Sequence, residues 1–132
     1  MPLSQAYIEI AERYLISADS SLNSGIHESA TFQAYHAFES TGGALAVSNG
    51  RYYPLSDTRK LNVFTVASNG SPYEIAVAQL AIQLNALRNR CLYPEETPGG
   101  VVIRPRNRLT QSQAVRIWSR VKGIFNRVRN DI

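Results

Sequence analysis

The sequence predicts an all-α fold, an up-and-down bundle of four long helices plus one short helix. Three observations carry that prediction. Apolar residues recur every three or four positions over long stretches, which puts them on one side of a helix. Turn and cap residues bound those stretches. No stretch alternates convincingly between apolar and polar, as a half-buried strand would. At 132 residues the chain is expected to form a single domain over residues 1–132. That is enough to bury roughly two thirds of the surface its unfolded chain exposes.

The first helix is expected from about Ser4 to Asn23, with Ser4 as its cap and Tyr7, Ala11, Tyr14/Leu15, Ala18 and Leu22 inward. Asn23-Ser24-Gly25 stops it, Gly25 supplying the left-handed residue wanted after a helix. The second helix, about His27 to Val47, carries Ala30, Ala34, Tyr35, Ala37, Phe38, Thr41 and Leu45 on one broad stripe and ends at Asn49-Gly50. The short connection makes these two helices antiparallel neighbours. Gly42-Gly43 lowers helix propensity inside the second helix, which predicts close approach of another helix, within the fold or across a dimer.

Arg51 to Ser56 reads as a loop, and about Asp57 to Ala67 as the short helix with Leu61 and Phe64 inward. Ser71-Pro72-Tyr73-Glu74 has the form of a capping box with proline at the first helical position. The helix it opens runs through Ile75, Ala76, Leu80, Leu84 and Leu87 to about Cys91. A connection from Pro94 to Leu109 follows, of a length that tends to serve function. Thr110-Gln111-Ser112-Gln113 is another capping box. The last helix runs to about Arg129, with Ile117, Trp118, Val121, Ile124, Phe125 and Val128 inward.

The apolar runs are too short and interrupted to span a bilayer, and the start MPLSQAYIEIAERY lacks the basic region of a secretory signal. A cytoplasmic location is expected. The single cysteine, Cys91, excludes an internal disulfide and a cysteine-based zinc cluster. His27 and His36 fall on opposite faces of one helix, so they cannot share a metal. No phosphate-binding loop, nucleophile elbow or zinc-protease motif occurs, and no cofactor or metal is expected.

The formal net charge of +4 conceals an asymmetry: residues 1–87 hold four Lys/Arg against seven Asp/Glu, residues 88–132 ten against three. A basic half points to an anionic partner, most often nucleic acid, or to a solvated face. Arg104, Arg106 and Arg108 stand on alternate positions of the long connection. Arg116, Arg120 and Arg127 fall within about 40° of each other on the last helix, as contact residues or as arginines snorkelling around its packed face. With Arg90, the candidate nucleic-acid contacts are Arg104, Arg106, Arg108, Arg116 and Arg120.

The segment LRNRCLYPEE, residues 87–96, ends the fourth helix. The fixed fork of Arg88 suits phosphate, Asn89 can orient a neighbour, and the Tyr93 hydroxyl can donate or accept a hydrogen bond. Together they could hold a phosphodiester and polarise a ribose hydroxyl without a metal. The same residues could instead close the helix, the arginines on its last carbonyls and Tyr93 over its end.

The order of segments resembles the HEPN family (higher eukaryotes and prokaryotes nucleotide-binding domains). YLISADSSLNSGIHESATFQAYHAFESTGGALA resembles that family's opening helical pair, with Ala34-Tyr35-His36-Ala37-Phe38 through Ala44-Leu45 in its second helix. TRKLNVF looks like its short third helix, and LRNRCLYP sits where its signature falls. The ribonuclease members carry Arg, four to six variable residues and then His, often with a polar residue after the Arg. Arg88 and Asn89 match the first half, and Tyr93 stands at the histidine position of a four-residue spacer. Some members carry an Arg-x-x-x-Tyr type ending instead, which Arg90 or Arg88 with Tyr93 resembles. A phenol, with a reference pKa of about 10, is a poorer proton shuttle at neutral pH than imidazole.

The resemblance implies a homodimer with the two signature elements facing each other, and frequent pairing with a minimal nucleotidyltransferase. Three functions follow as expectations. The first is binding of RNA or nucleotide without catalysis, as a dimer or as partner of that transferase. The second is a metal-independent endoribonuclease toxin of a toxin–antitoxin system, with Arg88, Asn89 and Tyr93 catalytic. The third is a helical protein-interaction module.

Overall fold

The computed structural model describes residues 2–51, 57–107 and 109–132. Residues 52–56 of the loop expected from Arg51 to Ser56, and the candidate contact Arg108, lie outside the described residues. Among those described are five α-helices: α1 (Leu3–Asn23), α2 (His27–Ser48), α3 (Asp57–Ala67), α4 (Glu74–Leu92) and α5 (Gln111–Asp131). The all-α bundle is the expected fold, with α3 the short member.

α1 and α2 form the most extensive helix pair. Ile8, Ala11, Leu15, Ala18 and Leu22 of α1 are buried, a stripe of the predicted periodicity. Both helices end in the glycine turn the sequence predicts. Gly25 and Gly50 have φ of +75°, and Ile26 N–H reaches back to the Ser21 carbonyl at 2.9 Å as Arg51 N–H does to Ala46 at 2.8 Å. These are Schellman closures, in which the left-handed residue lets two orphan carbonyls be satisfied. Ser4, expected as the cap of α1, lies inside its first turn. Pro2 holds the N-cap position instead, its carbonyl accepting from Gln5 and Ala6.

Gly42 of α2 answers to α3. A Cβ on Gly42 would stand 2.6 Å from Phe64 Cβ and Cγ, so only glycine lets α3 come this close. Phe64 then packs at a tilt on Phe38, with ring centroids 4.7 Å apart. Leu61 and Phe64 are both buried, as expected.

The start of α4 departs from expectation. Its N-cap position is Tyr73, without a side-chain cap; Ser68 to Ser71 are already committed to turns, with Ser71 N–H on the Ser68 carbonyl. Glu74 reaches back to the Gly70 N–H at 3.2 Å rather than to a capping serine. The inner face also differs: Val77, Leu80, Ala81, Leu84 and Cys91 are buried, whereas Ile75 and Ile82 are 73% and 75% exposed. α4 is apolar on both sides, and periodicity alone does not say which side packs.

The connection from α4 to α5 contains strand pairing that the sequence does not announce. β1 (Glu95–Glu96) pairs antiparallel with β2 (Val102–Ile103), closed by Thr97 N–H to the Val101 carbonyl at 2.8 Å and by Gly100 at φ +82°. A 3-10 turn, Pro105–Asn107, follows. α5 opens with the predicted capping box: Gln113 N–H donates to Thr110 Oγ1 at 3.1 Å, and Thr110 N–H to Gln113 Oε1 at 2.8 Å. Its apolar face packs on α1 and α2, and Trp118 Nε1 donates to the Leu15 carbonyl at 3.0 Å. The lone tryptophan is a packing residue, as its position in the apolar stripe indicates. Among the described residues no helix is long and apolar enough to cross a membrane.

Candidate nucleic-acid interface

Adjacent positions on a helix point about 100° apart, and this separates the residues at the end of α4. Arg88 sits on the edge of the buried face. Its guanidinium lies 5.9 Å from the Tyr35 ring centroid, within the range of a cation–π contact. Thr31, Phe32, Leu84, Leu87 and Cys91 complete a shallow recess around it. Asn89 and Arg90 face solvent. Tyr93 leaves the helix in extended conformation, its N–H on the Asn89 carbonyl at 3.0 Å. Its side chain is 62% exposed. Arg88 is thus held by packing from α2, while Asn89, Arg90 and Tyr93 present themselves outward.

Cys91, beside Arg88, is a buried thiol. Burial, and secondarily the charge of Glu28, pushes its pKa up to about 11. A thiol that stays protonated at neutral pH is a poor nucleophile, and its place in the structure is packing.

The 3-10 turn joins this end of the bundle. It packs against α4 and the start of α2, where the Arg106 carbonyl lies 2.8 Å from His27 Nε2. The backbone of Arg106 is fixed while the side chains of Arg104 and Arg106 stay exposed. Arg104 and Arg106 therefore belong to the same end as Arg88, Asn89, Arg90 and Tyr93. Glu95 and Glu96 of β1, also exposed, temper the positive charge there.

Arg116 and Arg120 lie elsewhere, on the exposed side of α5. α4 and α5 run antiparallel: the Tyr73 hydroxyl donates to Asp131 Oδ2 at 3.0 Å, and Arg120 Nη1 to Gln83 Oε1 at 3.4 Å. Between these contacts the two helices leave a groove of about 320 Å³, lined by Ala76, Gln79, Leu80, Gln83, Arg120, Gly123, Ile124 and Arg127. The sequence places Arg127 beside Arg116 and Arg120 but does not single out Gln79, Gln83 or Gly123. The available signal is Gly123 in register with three arginines. Its partner wall on α4 exists only once the helices are paired.

His36 is a packed histidine. It stacks on Tyr14 at 5.2 Å and meets Phe32 edge-on at 4.5 Å, with Nδ1 3.0 Å from the buried carboxylate of Glu39. Among the described residues no three His, Cys, Asp or Glu side chains could together hold a metal.

The fold and this end of it define an antiparallel helical bundle whose fourth helix finishes in a basic, largely exposed element. The chain matches the HEPN domain over residues 4–131 and belongs to that family, whose members are nucleotide- or RNA-related proteins. It is similar in fold to the crystal structure of TT1696 from Thermus thermophilus, with a TM-score of 0.78 and 20% identity over 100% of each chain. No curated protein matches it.

Proposed function

We propose that this HEPN protein binds RNA or nucleotide through the end of α4, without cleaving it, and acts as a homodimer or as partner of a minimal nucleotidyltransferase. The observation that carries the reading is the convergence of Arg88, Asn89, Arg90 and Tyr93 with Arg104 and Arg106. Two segments joined by a short hairpin bring guanidinium groups to one end of the bundle. Arg88 reads as the phosphate anchor, since the Tyr35 ring pre-orients its fork and lowers the entropy lost on binding. Arg90, Arg104 and Arg106 add charge around it, whereas Arg116 and Arg120 lie along α5, away from this end.

Binding is favoured over catalysis because the general acid–base position of the family signature is occupied by Tyr93, an exposed phenol. The dimer reading draws on α4 itself. Ile75 and Ile82 are seven residues apart on its outer face, and that stripe continues to Asn89. A second copy packed along it would set the two α4 ends side by side.

The test is metal-free incubation with labelled RNA in EDTA, alongside Arg88→Ala and Tyr93→Phe, with sedimentation of the wild type. The expected result is intact RNA, a dimer mass, and roughly tenfold weaker RNA binding in Arg88→Ala with little change in Tyr93→Phe. Cleavage by the wild type that Arg88→Ala abolishes would replace this reading with the endoribonuclease. Salt-independent or absent RNA binding would leave the interaction module.

A further inference from the structure

Beyond the α4 end, the geometry points to a second binding site: we propose that the α4–α5 groove holds a segment of single-stranded RNA and leads it to Arg88. The inference rests on the RNA-binding reading for the identity of the ligand, but its residues are separate. Arg116, Arg120, Gly123 and Arg127 recur at i, i+4, i+7 and i+11 and so form one stripe on α5. Among the described residues none of these three arginines is paired with a carboxylate. Arg120 touches the amide oxygen of Gln83, at 3.4 Å. Arg127 lies over the Tyr73 ring, 5.6 Å from its centroid.

The opposite wall is uncharged and hydrogen-bonding. Gln79 and Gln83 are one helical turn apart on α4 and offer amide donors and acceptors. The floor of Ala76, Leu80 and Ile124 is apolar. Gly123 lies between the arginines, where a Cβ would meet nothing within 4 Å. Among the described residues no packing partner calls for glycine there, and its effect is to keep the groove open between Arg120 and Arg127.

The spacing selects the ligand. Arg120 and Arg127 are two turns apart, about 10 Å along the helix. A partner that answers both carries anionic groups at intervals with polar groups between them. Phosphates for the arginines, with ribose or base edges for the glutamines, meet that requirement, whereas one carboxylate or one phosphate would leave an arginine unused. The groove also has a direction. Arg90 stands seven residues beyond Gln83 on the α4 wall, and Arg116 extends the α5 wall the same way, so the track leads along Arg90 to the end of α4 that carries Arg88 and Tyr93. From Ala76 to Arg88 it covers about 18 Å of helix.

The test is length dependence. Binding of a uridine dinucleotide and of an oligouridylate of about ten nucleotides is measured on the wild type, Arg120→Gln/Arg127→Gln, Gly123→Leu and Arg88→Ala, with thermal melts to verify folding. ATP serves as a free-nucleotide arm. The wild type is expected to bind the longer RNA at least tenfold more tightly. The arginine pair variant and Gly123→Leu, one by removing charge and one by filling space, should each erase most of that gain and leave the dinucleotide unchanged. The arginine variant should also lower the salt slope by roughly 1.4. Wild-type affinity for the longer RNA in both groove variants would overturn the inference, whatever Arg88→Ala does. ATP bound at the groove as tightly as the longer RNA would overturn it too. Loss in Arg88→Ala alone would leave the α4 end as the whole site; loss in the groove variants alone would support the groove and remove the α4 end.

Discussion

Gly42 and Gly123 both sit inside long helices, and they mark opposite kinds of interface. At Gly42 the missing side chain is space already used: Phe64 fills it, and an added Cβ would collide with that ring at 2.6 Å. At Gly123 the missing side chain is space left open, with nothing within 4 Å of where a Cβ would stand. The α2–α3 crossing is thus closed by the chain's own core. The α4–α5 seam is held at Tyr73–Asp131 and Arg120–Gln83 and parted between. A helical glycine by itself signals neither packing nor a site; what stands over it decides.

The sharpest way to break this comparison is to add one methyl group at each glycine. Gly42→Ala is expected to lose about 2–3 kcal/mol, because Phe64 must shift within a filled core. Urea unfolding of the variant measures it, and a loss under about 1 kcal/mol would mean that the α2–α3 crossing is looser than described.

Tyr73 at the foot of the groove comes next. Its hydroxyl bonds to Asp131, and burial first, then that hydrogen bond and the charge of Asp131, push its pKa up to about 12, with Arg127 opposing. The folded protein favours the neutral phenol. Stability from this group is therefore complete below about pH 10, the unfolded value, and is lost as pH rises toward 12. Tyr73→Phe should cost about 1 kcal/mol at neutral pH and flatten the decline between pH 10 and 12. An equally steep decline in the variant would assign it to other groups.

The smallest effect belongs to Gly123→Ala. Helix propensity alone predicts a gain of up to about 1 kcal/mol, seen as a higher melting temperature. A loss instead would show that the seam closes over Gly123 in solution.

The sequence makes the helices legible and the seams between them less so. α1 and α5 have one apolar face each, and most of their buried residues are those the spacing selects, although Ile8 is buried where Tyr14 is exposed. α2 buries its expected stripe and more, with Glu39, Gly42, Gly43, Ala44 and Ala46 buried as well. α4 has no single apolar face, since Ile75 and Ile82 on one side compete with Val77 and Ala81 on the other, and the choice depends on where α2 and α5 lie. The serine at Ser71 fits a capping pattern, but turn hydrogen bonds from Ser68 onward already fix that segment, and Glu74 turns to Gly70. At the candidate site the charges are readable while their grouping is not. Arg104 and Arg106 join Arg88 only because a short hairpin and a 3-10 turn fold the connection back onto α2 and α4. Arg127 joins Gln79 and Gln83 only because two helices run antiparallel. Both groupings are tertiary, and no local pattern encodes them.

The hydrogen bond from Trp118 to the carbonyl of Leu15 joins residues 103 positions apart. Most contacts between α1 and α2 form across a short turn, but this one closes a loop containing the rest of the bundle. Folding rates fall as contacts join more distant residues, so the protein should fold more slowly than a bundle whose helices touch only their sequence neighbours. Since Trp118 is the single tryptophan of the chain, its emission clocks the meeting of the two ends.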